Sequence, residues 1–139
     1  MRGLLINAAI YNRAIVQRDI EKAIADYTEA IRLDPKNMSA YNNRGNRYKA
    51  KKDYERAIAD YAEVIRLDPK FAFPYWNLGV IYVDMKDYDR AIADFTEAIR
   101  LSPKFSSFYN DRARAYRQIK RNDLAEADEK MAKSLKGDN

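Results

Sequence analysis

From Asp53 to Pro69 the chain reads "DYERAIADYAEVIRLDP", with apolar residues at Ala57, Ile58, Tyr61, Val64 and Ile65. The spacing i, i+1, i+4, i+7, i+8 draws one stripe along a helix face and predicts an amphipathic helix. Asp53 stands where its side chain can accept the first free N–H groups. Pro69 closes the segment, because proline has no N–H to donate and disfavours helix in the residue before it. Upstream, "SAYNNRGNRYKA" places Tyr41, Gly45 and Tyr48 at i, i+4 and i+7 and predicts a shorter helix. A glycine inside a helix costs about 1 kcal/mol relative to alanine, so Gly45 implies a neighbouring backbone at close approach.

The pattern recurs. "AIADYTEAIRLDPK" begins at Ala23, "AIADYAEVIRLDPK" at Ala57 and "AIADFTEAIRLSPK" at Ala91, each 34 residues after the last, and Pro35, Pro69 and Pro103 keep the same interval. Asp19, Asp87 and Asp123 are expected to cap helices as Asp53 does. A fixed period of this length predicts stacked supersecondary units. No unit can bury its apolar stripe alone, and repetition lets neighbours cover it for one another.

These residues resemble the tetratricopeptide repeats, a family of 34-residue helix–turn–helix units. The second unit carries the pattern as Tyr41, Gly45, Tyr48, Ala57, Tyr61 and Pro69, with Val64 in place of an alanine. The third carries Tyr75, Leu78, Gly79, Tyr82, Ala91, Phe95, Ala98 and Pro103. The first conforms only in its second half (Ala23, Tyr27, Ala30, Pro35) and the fourth mainly in its first (Tyr109, Ala113, Tyr116, then Ala125). Tyr11 and Ala14 depart from the pattern in unit one. In unit four Glu129 replaces the aromatic, as suits the polar outer face of a terminal helix. The resemblance implies an all-α, right-handed solenoid of about four stacked helix–turn–helix repeats. Their expected bounds are about 4–37, 38–71, 72–105 and 106–137, within a single domain over residues 1–139.

Composition narrows the chemistry. The 139 residues include no His and no Cys, which removes the commonest general base, the thiol nucleophile and the soft metal ligands. Gly3, Gly45, Gly79 and Gly137 are isolated, so no loop cradles phosphate. Asp60, Glu63, Asp94 and Glu97 recur at equivalent positions and read as surface chemistry. We therefore expect no enzyme activity, no cofactor and no metal. Lack of cysteine fits the cytoplasm. No window of 18 apolar residues suits a membrane, and the short apolar run in "MRGLLINAAIYNRA", interrupted by Asn7, reads as structure, not as a leader. Net charge is +5, with 26 basic residues interleaved among 21 acidic ones, the mark of a mixed-sign helix surface.

The resemblance further implies a concave face, lined by the first helix of each unit, that binds a peptide or a partner helix. The matching positions are Asn12 with Leu5, Ile15 and Val16, then Asn42, Asn46 and Lys49, then Phe73, Trp76, Val80 and Val83, then Asn110, Arg114 and Arg117. An aromatic and apolar middle beside a cationic end calls for a protein ligand with an apolar anchor and acidic groups. Tyr75 fills the packing position, so Trp76 is expected to face the groove; the alternative is packing against the next helix. Some relatives clamp the C-terminal carboxylate of chaperones with two asparagines and three cations. Asn12 and Asn43 match here, but Ala8, Phe73 and Asn77 hold the cation positions. The shifted frame keeps Asn46 and Asn77 but has Asn42, Ser107 and Asp111 there. No such clamp is expected.

Two other readings stand beside groove binding. Leu4, Leu5, Ile6, Ile10, Ile15 and Val16 make the first segment apolar around more than one stripe, which suits burial in one of three ways: against further chain of a longer protein, back on unit two, or against a second copy, as a homodimer or by exchange of near-interchangeable repeats. RNA binding would use Arg112, Arg114, Arg117, Lys120 and Arg121. Against it, Asp123, Glu126, Asp128 and Glu129 answer that cluster, and the tyrosines sit at packing positions.

Overall fold

The computed structural model describes residues 2–137, apart from the side chains of Ile6 and Asn7, as seven α-helices with no strand among them. They are α1 (Arg2–Leu33), α2 (Met38–Ala50), α3 (Tyr54–Leu67), α4 (Ala72–Asp84), α5 (Tyr88–Leu101), α6 (Ser106–Gln118) and α7 (Asn122–Gly137). The chain divides into two compact units, one up to Asp60 and one from Tyr61 onward. No described helix is long and apolar enough to cross a membrane.

Three turns are built alike. Lys52, Lys86 and Lys120 adopt φ of 61°, 62° and 62°. After α2, the Lys52 N–H donates to the Lys49 carbonyl and the Asp53 N–H to the Tyr48 carbonyl, both at 2.9 Å. The same double closure follows α4 and α6, through Lys86 with Asp87 and through Lys120 with Arg121. This is a Schellman stop with lysine where glycine is usual. Asp87 then caps α5 by accepting from the Arg90 N–H at 3.2 Å, and Asp53 accepts from the Arg56 N–H at 3.4 Å. Asp123 does not cap. Arg121 holds the corresponding position, and Asp123 lies in the first turn of α7, where its charge opposes the positive helix end.

The first repeat departs most. Asp19 is not a cap but a mid-helix residue, because α1 runs unbroken for 32 residues where a pair was expected. The turn lysines have Arg18 as their counterpart, and it stays helical. An L-residue in the left-handed region costs roughly 1–2 kcal/mol, which helix-on-helix packing must offset. In the second repeat Tyr41, Gly45 and Tyr48 are placed to supply that packing. Their counterparts are Asn7, Tyr11 and Ala14, so continuing the helix wins.

In the unit from Tyr61, Ala72, Ala98 and Phe108 form one buried cluster and Ala91, Phe95 and Ala115 another. Gly79 lies where a Cβ would meet Phe95 Cε1 at 2.5 Å. Close approach therefore explains that glycine. Tyr109 Oη donates to the Pro103 carbonyl at 2.9 Å and ties the loop back to α6. Tyr61 and Phe95 are wholly buried, whereas Glu129 at the same register is exposed and receives two bonds from Arg117, each 2.8 Å.

Not all repeated acids lie on the surface. Glu29, Glu63 and Glu97 do pair along their helices with Arg32, Arg66 and Arg100. Asp60, in contrast, is buried and takes a two-pronged contact from Arg44 at 2.7 and 2.9 Å. Arg112 does the same to Asp128, at 2.7 Å on both prongs. Each arginine also donates to a threonine, Thr28 or Thr96, at 3.1 Å.

Candidate functional site

α4 and α6 begin alike. Phe71 and Phe105 hold the N-cap position that Asn37 fills for α2, and neither offers a side-chain acceptor. Aromatic packing gathers at these helix starts. Phe73 lies 5.1 Å from Phe105 and 5.6 Å from Phe108 between ring centroids, and Trp76 lies 5.9 Å from Phe108. Such spacings suit edge-to-face and offset contacts. Trp76 is half-buried and donates its indole N–H to Asp111 Oδ2 at 2.8 Å. It thus packs against the next repeat's first helix and at the same time fixes a carboxylate there.

Beyond this cluster α4 and α6 border a cleft of about 160 Å³, lined by Val80, Val83, Asp84, Phe95, Asp111 and Arg114. Val80, Val83 and Arg114, three of the expected groove residues, line this cleft together. Asp84 and Asp111 are additions. Asp111 is 35 residues from Trp76, one repeat plus one, and that offset was the available signal. Its other oxygen accepts from Arg114 Nη1 at 3.1 Å, and the Arg114 side chain remains 78% exposed. The cationic end is therefore partly neutralised. Arg117 is held by Glu129, and this bond raises the arginine's pKa and lowers the glutamate's. Asn110 is half-buried on α6.

In the unit up to Asp60, Asn42, Asn46 and Lys49 are half-buried on α2, and Asn12 is exposed on α1. The Asn42 side-chain carbonyl is buried without a hydrogen-bond partner. A second cleft of about 280 Å³ is lined by Val16, Asp19, Ile20, Ala23 and Arg47. Next to it the start of α1 stands in the open. Leu4, Leu5, Ile10 and Val16 are 75%, 71%, 59% and 57% exposed, Ile15 is half-buried, and the Ile6 side chain lies outside the described residues. The basic cluster of the fourth repeat is largely engaged: Arg112 with Asp128, Arg114 with Asp111, Arg117 with Glu129 and Arg121 with Asp123.

Comparison with known proteins adds to this geometry. The sequence profile of the TPR repeat matches residues 16–51 and 45–86, and that of the tetratricopeptide repeat matches 75–105. No curated protein matches the sequence. Among solved structures the chain is similar to a crystal structure of MamA protein at 25% identity and TM-score 0.79, covering 85% of this chain and 64% of that one. It is similar to MamA 41-end from Desulfovibrio magneticus RS-1 at 18% identity and TM-score 0.80, covering 90% and 71%. Another crystal structure of MamA aligns at 21% identity and TM-score 0.70, covering 91% and 94%. These likenesses establish the all-α helical-repeat solenoid fold.

Proposed function

Since this chain belongs to the tetratricopeptide repeat family, whose modules serve protein–protein interaction, we propose that it is a non-catalytic module binding a peptide or helix segment on the face shared by α4 and α6. The cleft between Val80, Val83 and Arg114 carries this reading. Its volume suits one apolar side chain of a ligand, with Trp76 fixed beside it through Asp111. A ligand acid is best received by Arg114, because Arg117 already commits its Nε–Nη2 edge to Glu129. The ligand is thus an apolar residue followed or preceded by a single acid.

Selection from a random peptide library, followed by titration of the winning peptide, tests this. Val83→Asp is expected to abolish binding. Arg114→Glu, a charge reversal at an exposed position, is expected to weaken it about tenfold. Unchanged affinity in both variants sinks the proposal.

A second reading, self-association, is favoured by the exposed Leu4, Leu5, Ile10 and Val16. Together they form an apolar run rare on an unpartnered surface. Sedimentation equilibrium over a hundredfold concentration range separates the two: a constant monomer mass removes the second reading and leaves the first.

A further inference from the structure

Ala57 and Ala91 are wholly buried, yet Ala23 at the same register of the first repeat is only half-buried and borders the open 280 Å³ cleft. Tyr61 and Phe95 are wholly buried, and their counterpart Tyr27 is likewise only half-buried. In the third repeat that face of α5 is covered by α4, with Gly79 pressed on Phe95. The counterpart of α4 in the first repeat is the segment Leu4–Val16, which continues α1 in a straight line. A straight helix cannot lie along its own flank. Both halves of a missing interface are therefore present in one chain and held apart.

We propose that Leu4–Val16 is an exchange arm that docks on the Ile20–Ala23–Tyr27 face of a second copy, whose arm docks back reciprocally. The proposal rests on the self-association reading and specifies its geometry. Arg18 is the hinge: Lys52, Lys86 and Lys120 turn at φ near +62° in its register, and Arg18 stays helical. Exchange covers that face in both copies without placing Arg18 in the left-handed region; because Tyr11 stands where Gly79 presses on Phe95, the docked arm lies farther from Tyr27 than α4 does from Phe95. The arm carries Arg2 and Arg13 and no acid, and the cleft it would enter is lined by Asp19 and Arg47 together, so charge neither favours nor opposes docking and the apolar area decides it. At about 25 cal/mol per Å², burying one large apolar side chain corresponds to roughly 60–120 Å². On the face of the arm that carries Tyr11 stand Leu4 and Ile15; these three side chains from two arms remove roughly 360–720 Å², and the faces they cover about as much again. The upper part of that total enters the roughly 1,200–2,000 Å² of a stable interface.

The absence of native cysteine allows a clean cross-linking test. Tyr11 and Tyr27 are the counterparts of the touching pair Gly79 and Phe95. Full-length Tyr11→Cys and Tyr27→Cys proteins are mixed and oxidised, with sedimentation of the unaltered chain in parallel. The expected product is a mixed covalent dimer at twice the chain mass. Ala23→Cys in place of Tyr27→Cys repeats the test with a smaller change to the face. Cross-links between Tyr11→Cys copies alone mean that arms pair with each other, which overturns the exchange but keeps self-association. A monomer in sedimentation overturns both. In the Tyr11→Cys, Tyr27→Cys double variant, a disulfide at monomer mass means that the arm closes on its own chain, and again the exchange fails. Arg18→Gly frees the hinge to turn and is expected to lower the dimer constant about 5–30-fold per hinge, whereas Arg18→Ala leaves it unchanged.

Discussion

Three junctions of this repeat chain solve the same problem, the outer two with one chemistry and the middle one with another. At Arg44 and again at Arg112, an arginine lies within 6 Å of two tyrosine rings, grips a buried aspartate and reaches a threonine. The aspartate's bond holds each guanidinium above its usual pKa range. One repeat on from the first network, the positions of Thr28, Arg44 and Asp60 hold Ala62, Leu78 and Asp94. Leu78 is buried. Asp94 is half-buried with no ion-pair partner among the described residues, and desolvation pushes its carboxyl up to about 6. A buried ion pair can be exchanged for apolar packing at little cost, but one partner left behind is expensive. The middle junction made two of the three changes.

The largest expected effect comes from unbalancing an intact network. Arg112→Leu imitates Leu78 while leaving Asp128, whose side chain is 8% exposed, without its partner. We expect a loss of about 3–5 kcal/mol in urea unfolding. Adding Asp128→Leu should recover most of it, giving a coupling energy of opposite sign in the double-mutant cycle. If the double variant is as unstable as the single one, the comparison of junctions is wrong. Next in size is Gly79→Ala. The middle junction relies on packing, and the new Cβ would sit 2.5–2.9 Å from three atoms of the buried Phe95 ring. Overpacking of this kind costs about 1–3 kcal/mol. Gly3→Ala meets nothing within 4 Å and serves as the control.

How much of this the sequence disclosed depends on range. The 34-residue period with Pro35, Pro69 and Pro103 announced the repeats, and Val80, Val83 and Arg114, three of the expected groove residues, line one cleft. Local signals failed where the partner lies far off. Arg44 and Asp60 are 16 residues apart, an interval with no helical meaning, so Asp60 looked like Asp94 though one is gripped and the other is not. Lys52, Lys86 and Lys120 carry left-handed turns without the glycine that advertises them. The unbroken α1 was hidden for the converse reason. Asp19 and the repeat period both argue for a turn, and only the loss of Tyr41, Gly45 and Tyr48 equivalents removes the packing that would hold one.

A smaller effect separates the junctions by pH. With its folded pKa near 6 and an ordinary value near 3.8, Asp94 retains a proton in the folded chain that the unfolded chain releases. Stability from this group is therefore present below about pH 4 and lost as pH rises through 6. The displacement sets an upper bound of about 3 kcal/mol, and water reaching the half-buried carboxylate reduces it to about 1 kcal/mol. Glu29, Glu63, Glu97 and Glu129, each held low by an arginine, act with the opposite sign below about pH 4.5. The informative quantity is thus the difference between the unaltered chain and Asp94→Asn in thermal melts at pH 4.5 and 7. Asp94→Asn should be the more stable at pH 7, with the gap closing at pH 4.5.

Rebuilding the network gives the smallest change in stability and the sharpest comparison. Leu78→Arg with Ala62→Thr restores at Asp94 the residue types found at Asp60 and Asp128. The gain of an ion pair is offset by desolvation of the guanidinium and loss of a buried leucine, so net stability at pH 7 should move by less than about 1 kcal/mol. The titration should move far more. A guanidinium gripping both oxygens favours the ionised form, so the Asp94 carboxyl, followed by NMR, should titrate below 4 instead of near 6. If it still titrates near 6, its environment differs from those of Asp60 and Asp128 in more than the missing arginine, and Leu78 is no simple replacement within a shared design.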